Sequence, residues 1–219
     1  MKRFVKLLPA LYLLLSLDVL APEPAFPPAW TRVGSWNAAA PLLPGFNEGR
    51  SGEPGEPLSL IVVGTRDSVR RALSAAGWIE TPTSLRAALA AGLVEFLGGG
   101  PVASFPPSRL HRLKGRRPSM NWVMPARSIQ ERHRFHLWRT GITDLRGRDL
   151  WWGTGNKDRL GERTLDTDAE RDFIASTMAN SPGLNALVIL PAPRVPREGV
   201  TDRDIPYRTD GRVAVIDLR

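Results

Sequence analysis

The chain has 219 residues, no Cys, and 30 Lys and Arg, mostly Arg, against 22 Asp and Glu, giving a formal charge of +8 and an isoelectric point near 10.9. That length holds one core of ordinary size with an appendage and excludes two large domains. The missing Cys excludes disulfides, zinc–thiolate sites, iron–sulfur clusters and a Cys nucleophile. A positive charge carried by Arg points to anionic partners, because the guanidinium fork grips phosphate and carboxylate.

The chain opens on a basic stretch, Met1 to Lys6, followed by the apolar run Leu7 to Ala21, broken by Pro9, Ser16 and Asp18. This order matches the n-region and h-region of a secretory signal. The run is shorter than the roughly 20 apolar residues of a spanning helix, and Pro22 directly after Val19-Leu-Ala21 disfavours cleavage there. Residues 1–21 are therefore expected to be a signal peptide or an N-terminal anchor, which places the protein outside the cytoplasm, exported or membrane-anchored, in a bacterial cell envelope or periplasm. Residues 22–56 are rich in Pro, Gly and Ala and are expected to form a linker, with Trp30 and Trp36 as residues that lie on the domain or at a membrane interface. Residues 57–219 are expected to form the folded domain.

Leu58 to Gly64 is a short apolar run ended by Gly, the pattern of a strand buried on both faces. Thr65-Arg-Asp-Ser then opens a helix that runs to Ala76, with Val69, Leu73 and Ala76 on one face and Gly77 as its stop. Its basic N-terminal turn suits a phosphate, but an ordinary capped helix explains it as well. Thr83 to Leu97 is a second helix whose Leu85, Leu89, Leu93 and Phe96 are expected to face the core. Leu110 to Lys114 and Met120 to Met124 read as short strands.

A hairpin follows, from Glu131 to Asn156. With a period of two, Arg132, Arg134, His136 and Trp138 share one face, and His133, Phe135, Leu137 and Arg139 share the other. On the returning strand Leu150, Trp152, Thr154 and Asn156 alternate with Trp151, Gly153 and Gly155. The two His thus point to opposite sides, which argues against a metal pair, and no H-E-x-x-H pattern occurs. Gly153-Thr-Gly155 lacks the third Gly of a dinucleotide fingerprint. No metal and no cofactor are expected. A helix over Asp166 to Asn180 starts with Thr167-Asp-Ala-Glu170, read as a capping box, and carries Phe173, Ile174, Thr177 and Met178 on its apolar face. Asn185 to Leu190 and Arg212 to Leu218 are the last strands, the latter entered through the turn Tyr207 to Gly211. The order of elements predicts an α+β domain with an antiparallel or mixed sheet and helices packed mainly on one face.

Arg132, Arg134 and His136, with Asp158 and the helix start from Asp166 to Glu170, are the candidate site: His136 as general acid or base, Arg as holder of an anionic group, a carboxylate as orienter. Trp138 and Trp152 join Arg132, Arg134 and His136 as binding candidates, because an exposed Trp stacks on a lipid headgroup or a sugar. The plain alternative is surface ion pairs, an exposed strand His and Trp packed in the core.

Glu131 to Trp138, Leu150-Trp-Trp-Gly153, Asp166 to Phe173 and Tyr207 to Val215 fall in one order that resembles the LssY C-terminal domain family, and Leu58 to Trp78 is similar to the opening strand and helix of that family. The resemblance covers residue 57 to the C-terminus. It implies association with type I secretion genes and with membrane-embedded phosphatase-like or DedA-like segments, and it implies no established activity. The family tends to carry a His before the acidic helix start, where this chain has Arg163-Thr164, and a further His where it has Arg134. The expected function is an envelope-associated accessory or binding domain whose basic face meets an anionic lipid, an envelope polymer or a membrane-protein partner. A hydrolase acting on a phosphate-containing envelope substrate is the alternative. Nucleic acid is not expected as a partner, since no reading motif accompanies the charge.

Overall fold

The structure is a computed structural model that describes residues 32–49, 52–98, 103–104, 111–125, 131–159 and 165–219. The expected signal or anchor, residues 1–21, and Trp30 lie outside the described residues, as does the side chain of Trp36. The fold is α+β around one large mixed sheet. Its strands, in spatial order, are β5 (Ile79–Thr81), β6 (Met120–Pro125), β7 (Glu131–Asp144), β8 (Asp149–Arg159), β4 (Leu60–Val63), β12 (Arg212–Leu218) and β9 (Leu184–Pro191), and β1 (Arg32–Val33) pairs with the far end of β7. β4 and β12 run parallel, whereas β6, β7, β8 and β4 are successively antiparallel. Two small ribbons, β2 (Phe46–Glu48) with β3 (Pro54–Pro57) and β10 (Glu198–Val200) with β11 (Pro206–Arg208), stand outside it.

The apolar run of β4 is buried at every position because both faces of the sheet are covered. Leu60 and Val62 join Trp122, Phe135, Leu137, Trp151, Ala214 and Ile216 on the first face, where helices α2 (Arg66–Ala75) and α4 (Thr167–Met178) contribute Val69, Leu73, Ile174 and Met178. Ile61 and Val63 join Trp138, Leu150, Trp152, Val213 and Val215 on the second face, which Ala39, Ala40 and Leu43 close from the N-terminal side. Ala39 and Ala40 belong to α1 (Trp36–Ala39) and to the 3-10 turn that follows it.

That cover corrects the expected linker. Within residues 22–56, Leu43, Asn47 and Glu56 are buried to 1% exposure or less, and the β2–β3 ribbon turns the chain back onto the sheet. The residues are few, but they meet a face of the sheet already rich in apolar and charged groups, so they fold as part of the domain.

α2 is as expected: Thr65 caps it through a bond from Ser68 N at 3.1 Å, and Gly77, at φ +88°, ends it where a side chain would be strained. α3 (Leu85–Leu97) departs from expectation, because Leu93 and Leu97 are 59% and 74% exposed while Ala88 and Gly92 are buried. Leu89 is partly buried, and the side chains of Leu85 and Phe96 lie outside the described residues. The strand expected over residues 110–114 is reduced to isolated bridges, Arg112 with Glu48 and Leu113 with Arg116. β5 was not legible, because Ile79–Thr81 is too short for alternation to register.

Candidate functional site

From Arg132 to Leu137, β7 is flanked on both sides, by β6 and β8, and its two His lie on opposite faces, as alternation predicts. On the second face, Asn121 of β6 and Thr154 of β8 oppose His136. Asn121 Nδ2 donates to the Pro82 carbonyl at 3.0 Å, which turns its Oδ1 toward His136 Nδ1 at 2.7 Å. Arg134 Nη1 lies 2.8 Å from His136 Nε2. A guanidinium has only donors, so Nε2 accepts, the ring proton sits on Nδ1, and His136 is neutral with both nitrogens engaged. Arg134 Nη2 donates to Glu56 Oε1 at 3.0 Å.

Glu56 is the hub of this cluster. Its backbone N–H donates to Asn47 Oδ1 at 2.7 Å, His111 Nδ1 stands 3.6 Å from its Oε2, and Arg203 Nη2 stands 3.5 Å from its Oε1. Asp202 Oδ1 faces His111 Nε2 at 3.8 Å. Burial alone pushes the Glu56 carboxyl up, but the adjacent Arg134 guanidinium, with His111 adding to it, holds it well below the usual carboxylate range. Two Arg and two acids compensate each other here, so the cluster offers no net positive charge to an anion, and its first effect is to fasten the N-terminal segment to the sheet.

The expected binding face is accordingly internal. Arg134, His136, Trp138 and Trp152 are 2%, 1%, 2% and 5% exposed. Trp138 Nε1 donates to Arg116 O at 3.1 Å, and Lys114 Nζ lies 5.8 Å from the centre of the Trp152 ring, so both indoles are covered by the 111–116 turn. Arg132 is partly exposed and reaches the Ala103 carbonyl at 3.4 Å. Asp158 pairs through its backbone with Arg132, and its side chain lies outside the described residues. Asp166 caps α4 on the opposite face, accepting from Ala169 N at 3.0 Å. The sheet therefore stands between His136 and Asp166, and they form no common site.

A different pair is assembled on the first face. His133 Nδ1 lies 2.8 Å from Glu170 Oε2, and the imidazole stacks on Phe173 with ring centres 3.8 Å apart and planes 18° apart. Glu170 belongs to α4, and the close approach of that helix depends on Gly155 of β8: a Cβ there would stand 2.5 Å from Ile174 Cδ1 and 3.1 Å from Glu170 Cγ. The Glu170 side chain is 2% exposed and that of His133 is 15% exposed. Burial pushes the Glu170 carboxyl up from its ordinary value, against the opposing pull of His133. His133 Nε2 has no hydrogen-bond partner among the described residues. Lys157 pairs with His133 across the strands and so shares its face.

The sequence reading missed this pair because it gave Glu170 to the helix cap and set the helix start beside His136. The cap belongs to Asp166, and Glu170 is free to point inward. A signal was available: Glu170, Ile174 and Met178 recur at intervals of four, so an acid continues the buried stripe of an amphipathic helix. Such a carboxylate needs a partner, and His133 supplies it.

The model of the family described as LssY C-terminus matches residues 41–213. A search of the curated proteins found no match, and neither did a search of the solved structures. The matched range begins before β2 and runs into β12, so it takes in Leu43 and the β2–β3 ribbon as well as β7 and α4. Most of the chain lies within it, and the chain belongs to the LssY C-terminal family.

Proposed function

We propose that this chain is an envelope-associated accessory domain that binds an anionic surface, a lipid headgroup or an envelope polymer, through a basic corner at one end of the sheet. The observation that supports it is a gathering of cations around the 114–119 turn. Arg66 Nη2 donates to Ser119 O at 2.9 Å, Arg139 N donates to Ser119 Oγ at 3.1 Å, and Lys114 lies over Trp152. Arg66, Lys114 and Arg139 are exposed, and Arg116 and Arg117 flank them. The acids nearby are engaged: Glu48 accepts from the backbone N–H groups of Lys114 and Gly115, and Asp149 pairs with Arg139 at 2.9 Å. The basic and apolar N-terminus supports placement at the envelope, and a membrane-protein partner would meet the same corner.

The competing reading, a hydrolase built from Arg134, His136 and Asp166, loses support because those side chains are buried or on opposite faces. The test is co-sedimentation of the full chain with anionic and neutral vesicles at low and high salt, beside the variant Arg66→Ala, Lys114→Ala. Each basic side chain near an anionic surface contributes about 1 kcal/mol, so the double variant is expected to bind roughly 30-fold more weakly, and added salt to weaken the wild type. Binding that ignores both salt and the substitutions would overturn the proposal.

A further inference from the structure

We infer that His133, oriented by Glu170, is a general base for hydrolysis of a phosphate monoester, with Lys157 on the neighbouring strand receiving the phosphoryl charge. The three His of the chain divide by what their nitrogens face. His136 has both engaged, by Asn121 and Arg134. His111 is 3% exposed, with a carboxylate opposite each nitrogen. His133 alone combines an orienting carboxylate on Nδ1, partial exposure and an Nε2 that no described residue occupies. Glu170 fixes the proton on Nδ1, so the lone pair of Nε2 points away from the helix, and stacking on Phe173 sets the plane of the ring. This is the relation between base and orienter that acid–base catalysis requires.

In the step inferred, a water molecule gives a proton to Nε2 as its oxygen bonds to phosphorus. The bond from phosphorus to the ester oxygen, in line on the far side, breaks; that oxygen takes a proton from solvent water, and Nε2 returns its own proton to solvent. The products are an alcohol and inorganic phosphate, and the ring returns to its neutral form. A phosphate suits the site better than a neutral ester, because Lys157, paired with His133 across the strands, brings a cation to the same face.

Two measurements on the full chain test this. Labelling with diethyl pyrocarbonate near neutral pH, mapped by mass spectrometry, is expected to place the first adduct on His133 and to leave His111 and His136 unlabelled until the protein is unfolded. Glu170→Gln, which keeps the shape and frees the tautomer, is expected to slow that labelling without moving the urea midpoint to the same degree. Phosphate release is then followed from p-nitrophenyl phosphate in solution and, separately, from phosphatidate in vesicles, which tells a soluble source of the group from a lipid one. His133→Gln is expected to lower turnover of the preferred probe by roughly 10²-fold to 10⁴-fold, while Lys157→Met raises KM more than it lowers kcat. Equal labelling of the three His, or release from both probes that is absent or indifferent to His133→Gln, overturns the inference. Vesicle binding through the basic corner would survive either of those results.

Discussion

His133 and His136 stand on one strand, three residues apart, and the sheet gives them opposite situations. His136 is enclosed by Arg134, Asn121 and the N-terminal segment, and the charges around it close on themselves through Glu56. His133 is held at one nitrogen by a buried carboxylate, and its side chain is 15% exposed. The same side chain is an internal fastener on one face and, on the other, a partly exposed ring oriented by an acid. The lesson is that partners, more than residue type, decide what a histidine does.

The largest expected effect breaks the closed face alone. Glu56→Ala removes the carboxylate paired with the buried Arg134 guanidinium and is expected to lower stability by about 3–5 kcal/mol in urea unfolding, as for other buried pairs stripped of one member. The labelling rate of His133 should hardly change in the folded variant. If the rate rises with that of His136, the two faces are not independent.

Next in size is Gly155→Ala, whose added methyl meets Ile174 and Glu170. Overpacking of this kind costs about 1–3 kcal/mol, and it should push α4 from β8 and lengthen the contact between Glu170 and His133. Loss of selective labelling at His133, with His136 still protected, would tie the open site to that glycine.

The two carboxylates should also bend the pH dependence of stability in opposite senses. The folded Glu56 carboxyl lies below its ordinary value, so its contribution is present above that value and is lost as pH falls through the depressed one. The folded Glu170 carboxyl lies above its ordinary value, so its contribution is present below that value and is lost as pH rises through the raised one. Urea midpoints measured across the acid range are expected to fall less steeply on acidification in Glu56→Gln. They should fall less on the rise toward neutrality in Glu170→Gln. Matching curves for the two variants would contradict the contrast.

The smallest effect is expected at the surface pair of Arg70 and Glu80, 2.8 Å apart with side chains 44% and 30% exposed. Glu80→Ala should change stability by about 0–1 kcal/mol and decline in effect with salt. A larger loss would mean that β5 depends on this pair for its place at the sheet edge.

The α+β class, the strand at Leu60–Val63 within the run from Leu58 to Gly64, the capped helix after it, the β7–β8 pairing and the opposite facing of the two His could all be read from local pattern. Burial on two faces leaves a continuous apolar run, helix caps are contiguous residues, and strand alternation has a period of two. The resemblance to the LssY C-terminal family was legible in the order of its motifs, as the match over residues 41–213 bears out. The role of the N-terminal cover was not legible, because Leu43, Asn47 and Glu56 are isolated in a Pro- and Gly-rich stretch, and only the sheet they close on makes them buried. The pairing of Glu170 with His133 spans 37 positions, and no local rule connects residues so far apart. The list of elements, and which side chains share a face, follow from local pattern alone. Which face would be sealed and which would keep an open nitrogen was decided only when distant segments came to lie on the two sides of one strand, because burial and charge pairing are set by whatever the folded chain brings near.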